Sequence, residues 1–146
     1  MHMEYCAQLP DHDWVIAECH KLISSVYAAF VIKSGTISYS GPTAIFIQGG
    51  KHNSSTAMTH AADFEELRQL TAFQPIMCIN RAVKPTPVIT VDGGRDENPR
   101  FPKTLAAAYW AFHYNNLDAI FVVGHALGHS AYNTVERRMA LWSCDL

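Results

Sequence analysis

Two apolar, β-branched segments flank one helix-forming stretch in the second half of the chain, and this arrangement limits the fold more than any other feature. "TPVITVD" ends at Asp92 and "LDAIFVVGH" ends at His125, with "KTLAAAYWAFHYNN" between them. A strand that returns to its own sheet through a helix must run parallel to the strand it left. Pro102, just ahead of the central stretch, suits a first helical turn, where its missing N–H costs nothing. "TPVITVD" is so uniformly apolar that both of its faces are expected to be covered, as at the centre of a parallel sheet.

The first half reads differently. "MHMEYCAQL" has weak strand character, "WVIAECHKLI" suits a short helix or a strand, and "SSVYAAFVIKSG" reads as one strand ending at Gly35. A Gly41-Pro42 turn precedes "TAIFIQ", a strand closed by Gly49-Gly50. Ser54, Ser55 or Thr56 can cap a helix in which Ala57, Met58, Ala61, Phe64, Leu67 and Leu70 fall at helical spacing. A last helix is expected to begin near Asn133 or Thr134. The economical reading is one α/β domain over residues 1–146, with antiparallel strands first and parallel strands after in a mixed sheet flanked by helices.

Apolar residues make up 49% of the 146 and charged residues 16%, which suits a globular chain rather than a disordered one. The low charge leaves room for a partner surface. The net charge of −2 gives no global basic field, so any nucleic-acid contact must come from a local patch. No apolar run reaches the length of a membrane span. The opening "MHMEYCAQLPDHDW" lacks a basic region followed by an apolar stretch, so no secretory leader is expected. Cys6, Cys19, Cys78 and Cys144 are far apart and form no C-x-x-C pair, which points to free intracellular thiols.

Asp92 raises the functional question, because an apolar strand runs straight into a carboxylate. It either opens a surface turn or holds a cation at the carboxyl edge of the sheet, where α/β proteins gather their sites. Glu136 lies on the expected helix after the next strand. A carboxylate on a strand end and another on a nearby helix can share Mg²⁺, because hard cations take oxygen ligands and paired ions activate a nucleophile on a phosphodiester. The plainer reading of Glu136 is a first-turn carboxylate favoured by the helix dipole.

"SAYNTVERRMA" resembles the S-x-x-N-x-x-V-E-R segment that carries the final glutamate of integrases and DDE-type transposases. "VITVDGGRDENP" is similar to the strand-end aspartate segment of the same superfamily, and the order and separation of Asp92 and Glu136 also suit it. Over nearly its whole length the chain resembles a transposon-associated group of eukaryotic proteins. The resemblance implies a ribonuclease-H-like fold, with Asp92 and Glu136 as catalytic, metal-binding carboxylates for Mg²⁺ or Mn²⁺. It further implies DNA as partner and a nuclear location, while a missing first strand would leave an open sheet edge that invites self-association. The ancestral chemistry would be DNA strand cleavage and transfer. The first catalytic aspartate of that superfamily sits on the first strand. Here Asp11 and Asp13 flank His12 after a proline and read as loop residues. The expectation is therefore a partial domain lacking its first strand, with two of three carboxylates and little activity. The rival is a non-enzymatic DNA- or protein-binding domain that keeps the fold.

Lys51, His52, Arg95, Arg100, Arg137 and Arg138 are candidate phosphate contacts, Lys51, Arg95, Arg137 and Arg138 foremost, although a solvated face is the plainer reading for most of them. His125 and His129 are spaced as zinc ligands on a helix, yet "HALGH" contains Gly128 and follows a strand, so a polar loop fits better. "GGKHNSS" lacks the spacing of a phosphate-cradling loop and reads as a hairpin exit leading to a helix cap. Tyr109, Trp110, Phe112 and Tyr114 are expected to pack in the core rather than stack on bases.

Overall fold

The computed structural model describes residues 13–17, 20–38, 41–125, 133 and 135. Its first half is an antiparallel meander. Strands β1 (Asp13–Ala17), β2 (His20–Ala28) and β5 (Thr43–Gly49) form one sheet in that order. β2 and β5 pair from Leu22 opposite Gly49 to Ala28 opposite Thr43. "WVIAECHKLI" thus resolves as strand, contributing to β1 and to the start of β2. Asp13 is the first residue of β1, paired with Ile23, and not a loop residue.

The expected single strand through residues 24–35 breaks at Ala29. Between β2 and β5 the chain makes an excursion, a small hairpin of β3 (Val31–Lys33) and β4 (Thr36–Ser38). Its turn residues Ser34 and Gly35 both have positive φ, at 50° and 77°, as a two-residue turn matched to strand twist requires. The base is closed by Ala29 N donating to Pro42 O at 2.9 Å. Gly41 lies so close to this closure that any Cβ would run into the Ala29 carbonyl oxygen.

Helix α1 (Ala57–Leu67) starts at Thr56, whose hydroxyl accepts from Thr59 N at 3.1 Å while Thr59 Oγ1 accepts from Thr56 N at 2.9 Å. This reciprocal capping box satisfies two of the helix's otherwise orphaned donors. A short helix α2 (Gln74–Met77) and a hairpin of β6 (Cys78–Ile79) and β7 (Ala82–Val83) follow. β8 (Val88–Val91) then leads through helix α3 (Pro102–Tyr114) to β9 (Phe121–Gly124), which pairs with β8 in parallel. The strand–helix–strand unit is present, with Pro102 in the first helical turn.

Small residues hold the two long helices together. Ala57 and Ala61 of α1 and Ala107 of α3 form one buried cluster, so the helix backbones approach closely. Thr104, Ala107 and Ala111 make the buried stripe of α3 at helical spacing. The aromatic residues therefore point elsewhere, which corrects the core expectation for three of the four. Tyr109, Trp110 and Tyr114 are exposed; Trp110 stacks on Tyr114 at 4.8 Å between centroids, and Tyr109 meets His113 edge-on.

Two sheet-level expectations also differ. Among the described residues the antiparallel trio and the parallel pair are separate sheets rather than one mixed sheet. Burial alternates along β8, and Val88, Phe121 and Val123 are 64%, 52% and 49% exposed, so one face of this pair is open rather than covered. An all-apolar strand signals two packable faces, but packing on the second needs an element to arrive there. No helix among the described residues is long and apolar enough to cross a membrane.

Candidate functional site

A cavity of about 480 Å³ lies between β2, α1, the strand β8 and α3. Its apolar wall includes Ile23, Phe64, Ile89 and Val122, and its polar wall Tyr27, Ser55, His60, Asp92, Asp96 and Glu97. Local sequence explains why these groups converge. Tyr27 sits near the end of β2, two and four residues beyond the cavity-lining Ser25 and Ile23, and so on the same face of the strand. His60 is in the first turn of α1, one position beyond the capping Thr59. The turn after β8, with Gly94 accepting from Asn98 N at 2.9 Å, folds Asp96 and Glu97 back towards that helix start.

His60 is held from both sides. Tyr27 Oη donates to Asp63 Oδ2 at 2.7 Å and lies 2.6 Å from His60 Nδ1. With the phenol proton committed to Asp63, its oxygen accepts from Nδ1–H, which fixes the imidazole tautomer. Asp63 is only 7% exposed, so its carboxylate is oriented by this bond inside the fold. The other ring nitrogen, Nε2, lies 3.1 Å from Ser55 Oγ, 3.3 Å from Asp96 Oδ2 and 3.6 Å from Glu97 Oε1. Ser55 Oγ also donates a short hydrogen bond to Asp96 Oδ2.

The electrostatics follow from these contacts. Burial pushes the Tyr27 phenol well above its ordinary range, and the Asp63 carboxylate beside it adds to the rise. Burial also opposes ionisation of Asp96, but hydrogen bonds from Ser55, its own backbone and His60 outweigh it and hold the carboxyl below the usual range. Glu97 goes the other way. Its burial raises it, and the nearby charges of Asp96 and Asp92 reinforce the shift against the attraction of His60.

Asp92 directly follows β8 and is exposed at the cavity's edge. Its Oδ1 accepts from Gly93 N at 2.6 Å, and its own N donates to Glu97 Oε2 at 3.1 Å. Both earlier readings of this residue therefore keep a foothold: it opens a turn, and it stands at the carboxyl end of a strand beside other acids. Glu136, Arg137 and Arg138 lie outside the described residues. Asn133 and Val135, just ahead of Glu136, are described; both line the same cavity as Asp92. Asn133 Oδ1 accepts from Val135 N at 3.1 Å, as a helix-capping side chain does.

Lys51 and Arg95 are exposed and line no part of the cavity. "GGKHNSS" forms a turn in which His52 N and Asn53 N both donate to Gly49 O at 3.0 Å, and it leads into the Thr56 cap. His125 N donates to Val91 O at 3.0 Å at the end of the parallel pair, while His129 lies outside the described residues. Cys78 is a free thiol; Cys6, Cys19 and Cys144 lie outside.

His60, Asp96 and Glu97, with Ser55 and Tyr27, are the residues that sequence reading passed over. In the sequence His60 is one of eight histidines scattered along the chain, and Asp96 and Glu97 belong to a charged cluster after a Gly-Gly turn. The only local signal was His60 and Asp63 sharing one helix face at i, i+3. No protein family, curated protein or solved structure matches the chain.

Proposed function

We propose that this chain is a ribonuclease-H-like relative of the DDE transposases and integrases. Its ancestral chemistry is divalent-cation-dependent cleavage and transfer of DNA strands, and this chain is largely inactive in it. The observation that carries the reading is that Asp92 and the residues immediately preceding Glu136 border one cavity. The order of the main elements supports it as well, once the β3–β4 hairpin and the α2–β6–β7 segment are set aside: three antiparallel strands, a helix, a strand, a helix and a parallel strand, with a further helical residue at Val135. In the proposed site Asp92 and Glu136 hold Mg²⁺ or Mn²⁺, which would supply Lewis-acid stabilisation of the phosphodiester. Lys51, Arg95, Arg137 and Arg138 contact DNA phosphates, the protein self-associates, and it works in the nucleus.

A second reading, an active enzyme, is favoured by one observation. Asp13 begins β1 opposite Ile23, a residue of the cavity wall, so an acidic residue stands on a strand next to the site. Nicking of supercoiled plasmid in Mn²⁺ separates the two. Background nicking by residues 1–146 is the expected result and favours the remnant. Nicking that disappears in both Asp92→Asn and Asp13→Asn would establish a complete acidic set. Nicking unchanged in Asp92→Asn and in Glu136→Gln would remove the polynucleotidyl-transferase reading altogether. A retained fold that binds DNA without cutting it is the non-enzymatic alternative, and a salt-dependent gel shift would identify it.

A further inference from the structure

We infer that His60, Asp96 and Glu97 form a binding site for a first-row transition-metal cation, separate from the Asp92–Glu136 pair. The inference needs only these side chains and their supports, and it stands whether or not the nucleic-acid reading does.

The tautomer comes first. With the Tyr27 proton directed to Asp63, neutral His60 carries its proton on Nδ1 and has a lone pair on Nε2, and only the doubly protonated ring can donate to Asp96. That lone pair faces three oxygens. Ser55 Oγ has directed its hydrogen to Asp96, and Asp96 and Glu97 present carboxylate oxygens. A nitrogen lone pair surrounded by electron-rich oxygens is repulsive unless a positive centre lies among them. Either a second proton on the imidazole or a metal ion can supply it.

The spacing favours the metal. A proton on Nε2 would draw one carboxylate in to about 2.7–2.9 Å, the usual length of a charge-assisted hydrogen bond. The observed separations are 3.1 Å to Ser55 Oγ, the one oxygen within easy reach of a protonated Nε2, 3.3 Å to Asp96 and 3.6 Å to Glu97, and the last is too long to be a hydrogen bond. Nitrogen and oxygen ligands bound to one ion at about 2.0–2.2 Å stand roughly 3.3–3.6 Å apart at tetrahedral angles. All three ligand atoms lie within 4.8 Å of one another. The donor set selects the class of ion: an imidazole nitrogen with two carboxylates suits Zn²⁺, Mn²⁺ or Co²⁺, whereas Mg²⁺ and Ca²⁺ prefer oxygen alone. Three protein ligands leave a fourth position, and these residues line the cavity, so a water or a ligand oxygen can complete the shell.

The surroundings also resemble those of ligating groups elsewhere. A metal-bound histidine commonly donates its other N–H to an oxygen that fixes the ring, and Tyr27, backed by Asp63, does this for His60. Ser55 does the same for Asp96. Tyr27 is therefore a positioning residue, since it touches the imidazole and not the ion.

The test is titration of the full chain with Zn²⁺, and with Co²⁺ for its visible spectrum, against Mg²⁺ as the hard-cation comparison. The expected result is a single ion per chain bound far more tightly than Mg²⁺. His60→Gln and Glu97→Gln should each weaken Zn²⁺ binding by at least 10–100-fold, and Tyr27→Phe by on the order of 10–100-fold, the usual cost of losing an outer partner. The exposed Asp118→Asn should change nothing. Circular dichroism checks folding, and if His60→Gln fails to fold, Glu97→Gln, on a surface loop, carries the test. Binding unchanged in Glu97→Gln, or lost in Asp92→Asn while kept in His60→Gln, would move the ion elsewhere and overturn the proposal. So would no binding, with the His60 imidazole carrying protons on both nitrogens in a ¹H–¹⁵N spectrum. Plasmid nicking is read separately, so loss of the DNA chemistry leaves this result standing.

Discussion

Two groups of acids share the turn after β8, only a few residues apart, and they are built in opposite ways. Asp92 has the conspicuous sequence position, at the end of an apolar strand, yet its side chain is exposed and, among the described residues, its one side-chain hydrogen bond is to the next residue's N–H. Asp96 and Glu97 look like ordinary loop charges. They are half-buried and converge with His60 of α1, which in turn leans on Tyr27 from the sheet, itself held by the buried Asp63. Salience along the chain and pre-organisation in space are different properties. A site that must hold its geometry before a ligand arrives depends on the second.

The largest expected difference between the two groups is in stability. Asp63→Ala removes the acceptor of the half-buried Tyr27 hydroxyl and loosens His60, which should cost about 2–4 kcal/mol in urea unfolding. Equal losses in Asp63→Ala and Asp92→Ala would break the contrast. Ala107→Leu should come next. It overfills the alanine seam between α1 and α3 and is expected to cost about 1–3 kcal/mol. It should also disturb the His60 resonances more than the Gly93 amide beside Asp92.

The pH response of the metal-free protein, measured with chelator present, sharpens the comparison from inside the cluster. Glu97 is raised on folding, so its contribution is fully present below the ordinary glutamate range and is lost as pH rises through its folded value. Glu97→Gln should therefore remove a loss of stability on the rising side of that range. Asp96 is lowered on folding, so its contribution is present above the ordinary aspartate range and is lost as pH falls through its folded value. Asp96→Asn should lower stability at neutral pH and flatten the acid limb of the profile. Thermal melts of both variants from acid to neutral pH check the two signs. The smallest effect belongs to Asp92→Asn, expected within about 0.5 kcal/mol of the parent, as for an exposed side chain with no distant hydrogen-bond partner among the described residues.

The periodic features were legible in the sequence. Thr56 caps α1 within the expected trio, Pro102 opens α3, and the β8–α3–β9 unit follows from two apolar runs around a helical one. The α2–β6–β7 segment was not read, because its two-residue turn places Asn80 and Arg81 at φ of 51° and 67°, and arginine gives no hint of a left-handed turn. The outward aromatics of α3 were misjudged because ring-bearing residues outweigh alanines on any hydrophobic scale, while the close helix pair needs the alanines. The His60 cluster joins by direct contact residues up to 41 positions apart through a chain reversal, and no local pattern encodes such a meeting.

The excursion between β2 and β5 has a practical side. Its two ends meet at the Ala29–Pro42 bond, and the Gly41 backbone is pressed against Ala29, so entry and exit of this segment are stapled to one another. Whatever lies beyond the staple is insulated from the register of the sheet that carries Tyr27. Lengthening the Ser34–Gly35 tip should change little but loop entropy, which grows only slowly with length. The tip is thus a docking port for a fluorescent tag or an affinity handle. A side chain at Gly41, by contrast, would pry the staple open and let the sheet slip.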